Sequence, residues 1–153
     1  MLDQATQSLV KFSGHSQSLD RWLQHRQLLV SGYFHMITKA QATALPKLSD
    51  VRYWCVELVD YLTAGHFQVF SELVPVADAP QQTANDFDQK YSSISSTTDD
   101  LLKMQETVFS LNEDNNVALQ EMLSGLGETL AKRLEMEDLL ISISLGQKEE
   151  SPA

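Results

Sequence analysis

Several residue types are scarce in this chain of 153 residues, and each shortage excludes a class of protein. The single cysteine, Cys55, excludes a disulfide within the chain and fits a reducing compartment. No apolar run approaches the roughly 20 residues that a membrane-spanning helix needs. Residues 1–12 lack the basic flank and apolar core of a signal peptide, so we expect a cytoplasmic protein.

Basic side chains are also few. The chain has 11 Lys and Arg against 21 Asp and Glu, which gives a formal net charge of -10. Such a charge repels nucleic acid and anionic lipid and attracts basic proteins. We therefore expect no direct binding to nucleic acid or membrane. Two explanations of the acidity stay open, namely solubility alone, the commoner one among acidic proteins, or a basic partner.

Glycine and proline, at six and four residues, interrupt the chain so rarely that long segments remain. Apolar residues recur in these segments with the period of a helix, and no segment shows sustained strand alternation. The period predicts four long helices, over residues 18–38, 47–64, 84–110 and 116–145. It also allows a shorter helix in the first dozen residues.

The boundaries follow from local signals. Gly65 is predicted to stop a helix, and a short apolar segment with Phe67, Phe70, Leu73 and Val74 follows it. Loops are expected at residues 78–82 and 112–116. The sequence thus predicts an all-α fold, a helical bundle of four long helices plus shorter helical segments. We expect one domain over residues 1–146 and a disordered tail over 147–153.

Four polar residues fall inside the apolar stripes of these helices at 100° per residue. They are Arg26, Gln105, Arg133 and Glu137, and the last two are one turn apart. Isolated charges are not left in a dry core, so either these residues form a paired network that fixes helix register or they line a cavity. Glu137 alone cannot neutralise two arginines, so we expect a further carboxylate or solvent nearby.

The carboxylate of Asp60 has the opposite placement. Its angle lies far from the apolar stripe of its own helix, and Glu57 and Asp50 share that outward side. An exposed row of carboxylates is usually a solvated face, and it can also bind a basic helix.

Sequence motifs for catalysis and for metal binding are missing. The four histidines lack metal-ligand spacing, and the segment around Gly125 and Gly127 lacks the context of a phosphate loop. Cys55 on an apolar face is expected to be a buried small hydrophobe. His66 follows Gly65 at a helix junction, where capping, packing and partner contact all stay open. We predict no catalytic residue, no metal and no cofactor.

Three segments together suggest a family. Residues 20–23 read DRWL and are followed by Arg26, LLV at 28–30 and Tyr33. Residues 58–67 read LVDYLTAGHF, and residues 123–141 place Arg133 and Glu137 in a third motif. In this order, from about residue 15 to 145, they resemble the Rsd/AlgQ family of bacterial anti-sigma regulators.

The resemblance implies an all-helical protein that binds the primary sigma factor of RNA polymerase. The implied target is the C-terminal sigma domain, which reads the −35 promoter element through a basic helix-turn-helix. Binding there would block promoter and core polymerase contacts and favour alternative sigma factors in stationary phase. An adaptor for a (p)ppGpp-metabolising protein or for the phosphotransferase system, with its phosphocarrier protein as a partner, is the alternative.

The same resemblance selects contact residues. Asp60, inside a family motif and predicted to be exposed, is the first candidate for a sigma contact. The other candidates are Trp22, His66, Phe67, Arg21 and Glu57. Large aromatic side chains among them would act as anchors of the kind that dominate interfaces.

Overall fold

The computed structural model of the protein describes residues 1–43 and 46–150, which form five α-helices. The helices are α1 (Leu2–Phe12), α2 (Gln17–Thr43), α3 (Leu48–Ala64), α4 (Gln81–Ser110) and α5 (Asn116–Glu150). A π-helical turn (Gly65–Val69) and a 3-10 turn (Phe70–Leu73) follow α3 directly. The described ranges contain no strand, and the predicted all-α bundle of long and short helices is confirmed.

Three predicted boundaries differ from the structure by three residues or more. Helix α2 ends at Thr43, five residues beyond the predicted end. Helix α4 begins at Gln81, inside the loop expected at 78–82. Helix α5 continues to Glu150 and so includes the first four residues of the segment that was expected to be a disordered tail. Residues 151–153 of that segment lie outside the described residues.

The helices pack as neighbouring pairs. Helix α4 has its most extensive contact with α5, and α2 packs against both α1 and α3. Leucines dominate the buried face of α5, at Leu119, Leu123, Leu126, Leu130, Leu134, Leu140 and Leu145. No helix in the described ranges is both long enough and apolar enough to span a membrane.

Gly65 does not stop the helix in the expected way. Its φ of -57° and ψ of -53° are right-handed, and the chain continues into the π-helical turn. A Cβ at this position would lie 3.2 Å from Trp22 Nε1 and 3.2 Å from Phe70 Cζ. Glycine is therefore placed here by close packing against two aromatic rings and not by a left-handed cap.

Two apolar residues that helical periodicity places on core faces, Phe34 and Phe109, are exposed instead. Phe67 and Val74 of the short apolar segment after α3 are exposed as well. Phe67 lies midway between buried Gly65 and Val69, so it points away from the core. Phe109 is close to the end of α4, where its ring lies 5.9 Å from the Arg52 guanidinium. Single exposed apolar residues are normal, but Phe67 is 81% exposed although Gly65 and Val69, two residues away on either side, are buried.

Candidate functional site on helices α2 and α3

The outward side of α3 carries the predicted carboxylates. Asp60 is exposed, Glu57 is partly exposed, and Phe67 lies further along in the π-helical turn. The Asp60 side chain has no hydrogen bond or ion pair with any described residue. Glu57 Oε2 lies 3.8 Å from His25 Nε2 on α2. Asp60 is therefore available to a cation of a partner.

Two of the predicted contact residues lie on α2. Arg21 is exposed, whereas Trp22 is buried. Trp22 is only 3% exposed. Its ring stacks on Tyr61 at 5.1 Å with 9° between the planes, and Phe70 meets its edge at 5.5 Å. Trp22 therefore packs in the core in this conformation, where its indole presents almost no surface to a partner, and its predicted contact stays a prediction.

A groove of about 510 Å³ separates α2 from α3. Leu29, Gly32 and Trp54 are among the residues that line it, and the exposed side chains of Leu28 and Tyr53 also line it. Leu28 and Tyr53 were not predicted as contact residues. Their signal was present, because both are large apolar residues that fall off the core stripes of their own helices.

Arg26, Arg133 and Glu137 are fully buried and meet in the core. Arg133 Nε donates to Glu137 Oε2 at 2.9 Å, and Arg133 Nη1 donates to the Ile94 carbonyl at 3.1 Å. The Tyr61 hydroxyl donates to Glu137 Oε1. Burial, followed by the charge of Glu137, raises the pKa of Tyr61 well above its ordinary value, so the hydroxyl keeps its proton.

The second carboxylate that charge balance requires is Asp138. Its Oδ1 lies 2.8 Å from Arg26 Nη2, while Arg26 Nη1 reaches Glu137 Oε1 at 3.4 Å. Burial lowers the pKa of Arg26, but the surrounding anionic groups (Tyr61 when ionised, Glu137 and Asp138) outweigh burial and raise it above its ordinary value. Two arginines thus face two carboxylates, as the charge count predicted.

Asp138 also fastens the first helix to the bundle. Its Oδ2 accepts hydrogen bonds from Gln4 Nε2 and Ser8 Oγ of α1, each at 2.8 Å. Sequence reasoning did not place Asp138 in the inward network, because its angle on α5 is about 100° from that of Glu137. Asp138 is the partly exposed end of a charged cluster whose other members, Arg26, Arg133 and Glu137, have no exposed surface.

Since the three central side chains have no exposed surface, they line no open cavity. The structure therefore favours the paired network that fixes register. Two guanidinium nitrogens, Arg26 Nε and Arg133 Nη2, have neither a hydrogen bond nor an ion-pair contact among the described residues, whereas Arg26 Nη2 has its ion pair with Asp138. The guanidinium groups lie 5.8 Å from the Trp22 ring and 6.0 Å from the Phe70 ring, which compensates in part through cation–π attraction.

Gln105 does not join this network. It is only partly buried on α4, and no hydrogen bond connects it to the arginines or to Glu137 within the described ranges. Thr97 and Thr98, about two turns earlier on α4, make the contacts to Arg133 instead. Gln105 and Thr98 lie about 20° apart around the helix axis, so the face of α4 was predicted correctly and the turn was not.

His66 connects the network to the surface. Its Nε2 lies 2.8 Å from Thr98 Oγ1, which also accepts from Arg133 Nη1, and its Nδ1 lies 3.4 Å from the Tyr91 hydroxyl. Burial, followed by the positive charge of Arg133, lowers the pKa of His66. A neutral, packed His66 favours the packing role among the alternatives left open, although part of its ring stays exposed.

Cys55, the single cysteine of the chain, is buried. Burial raises the pKa of the Cys55 thiol to about 12, as expected of a buried small hydrophobe. Within residues 1–43 and 46–150, no three His, Cys, Asp or Glu side chains lie close enough to hold a metal ion.

Comparison with known proteins fits this arrangement. The family described as "Regulator of RNA polymerase sigma(70) subunit, Rsd/AlgQ" matches residues 1–144. The chain belongs to the Rsd/AlgQ family. The resemblance in the three sequence motifs is thereby confirmed, and the chain is a member of a family of regulators of the sigma(70) subunit.

Individual relatives cover nearly the whole chain. The regulator of sigma D from Sodalis glossinidius is 33% identical over 147 residues, 92% of this chain and 97% of the relative. The regulator of sigma D from Pectobacterium carotovorum is 31% identical over 150 residues, 94% of this chain and 97% of the relative. That from Escherichia coli O1:K1 is 29% identical over 151 residues, with 95% and 94% covered.

Proposed function

We propose that this chain is an anti-sigma factor that binds the C-terminal, −35-recognising domain of the primary sigma factor. Occupation of that domain blocks its contacts with the promoter and with core polymerase. Alternative sigma factors then gain core polymerase in stationary phase. The chain acts in the cytoplasm as a binding protein, without catalysis and without a cofactor.

The observation that carries the proposal is the availability of Asp60. Its carboxylate is exposed on α3, has no partner among the described residues, and lies inside a family motif. Phe67, about two turns further along the chain, is 81% exposed and adds an aromatic anchor. An exposed carboxylate and an exposed aromatic ring suit a partner surface that is both basic and apolar.

The charge of the whole chain supports the same partner. A net charge of -10 steers a basic domain toward the protein and raises its association rate. A helix that binds promoter phosphates is basic, so carboxylates on α3 can take the place of those phosphates. Such binding weakens as salt screens the charges.

Titration with the isolated C-terminal sigma domain tests the proposal. Asp60→Ala is expected to weaken binding about tenfold or more, which corresponds to about 1.4 kcal/mol. Helical content and melting temperature should stay near those of the wild type, because Asp60 is exposed. Asp88→Ala, which removes an exposed carboxylate from α4, is the matched control and should bind as the wild type does.

Two outcomes count against the proposal. One is the absence of a complex at micromolar concentrations and modest salt. The other is equal binding by the Asp60→Ala and Asp88→Ala variants, which would move the contact away from α3. A large loss of stability in Asp60→Ala would mean that this carboxylate is structural.

A further inference from the structure

The groove between α2 and α3 has an apolar floor. Leu29, Gly32 and Trp54 lie at its base, and Trp54 Nε1 donates to the Leu29 carbonyl at 2.8 Å. This hydrogen bond fixes the indole, so its one polar group faces the protein. A Cβ on Gly32 would come within 3.3 Å of Trp54 Cδ1, and glycine therefore keeps the floor open.

The two walls of the groove expose large apolar side chains to solvent. Leu28 on α2 is 70% exposed, and Tyr53 on α3 is 71% exposed. Both line the groove, above a floor in which Leu29 and Trp54 are buried and Gly32 is partly exposed. Apolar side chains on two facing helices above an apolar floor form a patch of the kind that marks a binding surface.

The charges around this groove indicate the sign of the occupant. Asp50 and Glu57 line its α3 wall, and Asp60 lies one turn beyond Glu57. Lys39 on the opposite wall lies 3.2 Å from Asp50 Oδ2, so the pair is locally neutral. The unbalanced charge at the Glu57 and Asp60 end is negative, and it complements a basic partner.

The walls also decide the form of the occupant. Both walls are helices whose backbone N–H and C=O groups bond internally, so no sheet edge is available for strand addition. From His25 to Lys39 the groove follows α2 for about 21 Å at 1.5 Å per residue. A helix of about 14 residues matches that length.

We infer that this groove takes the apolar face of one basic amphipathic helix, with an apolar side chain seated over Gly32 between Leu28 and Tyr53. The basic residues of that helix then meet Glu57 and Asp60. The inference rests on the proposed function and adds to it the apolar half of the contact surface. The occupant is a helix of the C-terminal domain of the primary sigma factor.

Titration with that isolated sigma domain tests the inference. The double variant Leu28→Ala/Tyr53→Ala removes both walls, and we expect affinity to fall about tenfold or more. The control is Val10→Ala/Val117→Ala, which removes two side chains that are 74% and 72% exposed on α1 and α5. The control should change affinity less than about twofold, and both proteins should melt as the wild type does.

A second measurement needs no variant in the groove. Met36 lines the groove, so its methyl resonance in the wild-type protein should shift when the sigma domain is added. The methyl of Met104, which contacts Gly125 and Thr129 at the α4–α5 interface, should stay in place.

The possible results distinguish failure of the groove from failure of the proposed function. Normal binding by the Leu28/Tyr53 double variant, with weakened binding by Asp60→Ala, overturns the groove and leaves the proposed function standing. A Met36 methyl that does not move at saturation also overturns the groove. Absence of any complex with the wild-type protein overturns both.

Discussion

Arg133 and Glu137 lie one turn apart on α5 and form a hydrogen-bonded ion pair at 2.9 Å with no exposed surface on either side chain. Glu137 is shared, because Arg26 and the Tyr61 hydroxyl also reach its Oε1. One carboxylate therefore ties α2, α3 and α5 together. The arrangement is stable only while every charge keeps its partner.

Glu137→Gln should destabilise the protein by about 3–5 kcal/mol. Arg26 and Arg133 would then be buried with Asp138 as the single carboxylate left to balance two positive charges. Urea unfolding measures the difference. Glu135→Gln, an exposed change two residues earlier on α5, is the control and should stay within about 0.5 kcal/mol of the wild type. Equal effects of the two substitutions would refute the role assigned to the shared carboxylate.

Asp138→Ala should destabilise the whole protein, because buried Arg26 loses an ion-pair partner, and should loosen α1 most. The substitution also removes the acceptor of both Gln4 and Ser8, which hold α1 against α5. Hydrogen exchange at the Ala5 amide, which bonds to the Met1 carbonyl, should accelerate more than exchange in the α4–α5 pair. Asp100→Ala on α4 is the control. Unchanged protection of α1 in the Asp138 variant contradicts the assignment.

Gly127→Ala should destabilise the protein by about 1–3 kcal/mol, because a Cβ there would overlap the Tyr33 hydroxyl. That hydroxyl donates to the Leu123 carbonyl at 2.8 Å and cannot move freely. The control is Gly146→Ala on the same helix, where a Cβ meets no atom within 4 Å. The control should gain up to about 0.5–1 kcal/mol from helix propensity. A neutral Gly127→Ala would show that Tyr33 is not held in this position.

The pH dependence of stability contains a contribution from His66. Its pKa in the folded protein lies below 6.5, the value for the unfolded chain, so the unfolded state binds a proton that the folded state refuses. The free energy of unfolding therefore falls as pH decreases from about 6.5 through the folded pKa.

His66→Gln removes this contribution and keeps a group that can bond to Thr98. Between about pH 7.5 and pH 5.5 its free energy of unfolding should fall less than that of the wild type. His15→Gln, a substitution at an exposed site near the start of α2, is the control and should fall as the wild type does. Identical pH profiles for His66→Gln and the wild type would show that His66 titrates as freely in the folded protein as in the unfolded chain.

Helical periodicity was sufficient to predict the long helices and the inward placement of Arg26, Arg133 and Glu137. It also placed Asp60 outside, because one residue every 100° leaves little ambiguity in a regular helix. It did not predict the π-helical turn after Ala64, in which Phe67 is exposed. It placed Trp22 on the apolar stripe of its helix, whereas the family resemblance selected Trp22 as a contact residue, although Tyr61 and Phe70 enclose it.

The groove was missed for a related reason. A single helix shows which residues leave its stripe, but only the packed pair shows that Leu28 and Tyr53 face the same space. Gly32 carries no apolar signal at all, and its part in the floor depends on the position of Trp54. A binding surface that is formed between two helices can be recognised only when the packing of those helices is known.

Calorimetric titration of the wild-type protein with the isolated C-terminal domain of the primary sigma factor tests the central claim most directly. We predict a complex at micromolar concentrations or below, which weakens as salt is raised and weakens again in Asp60→Ala. Absence of binding at micromolar concentrations and modest salt, with both proteins folded, would contradict the account.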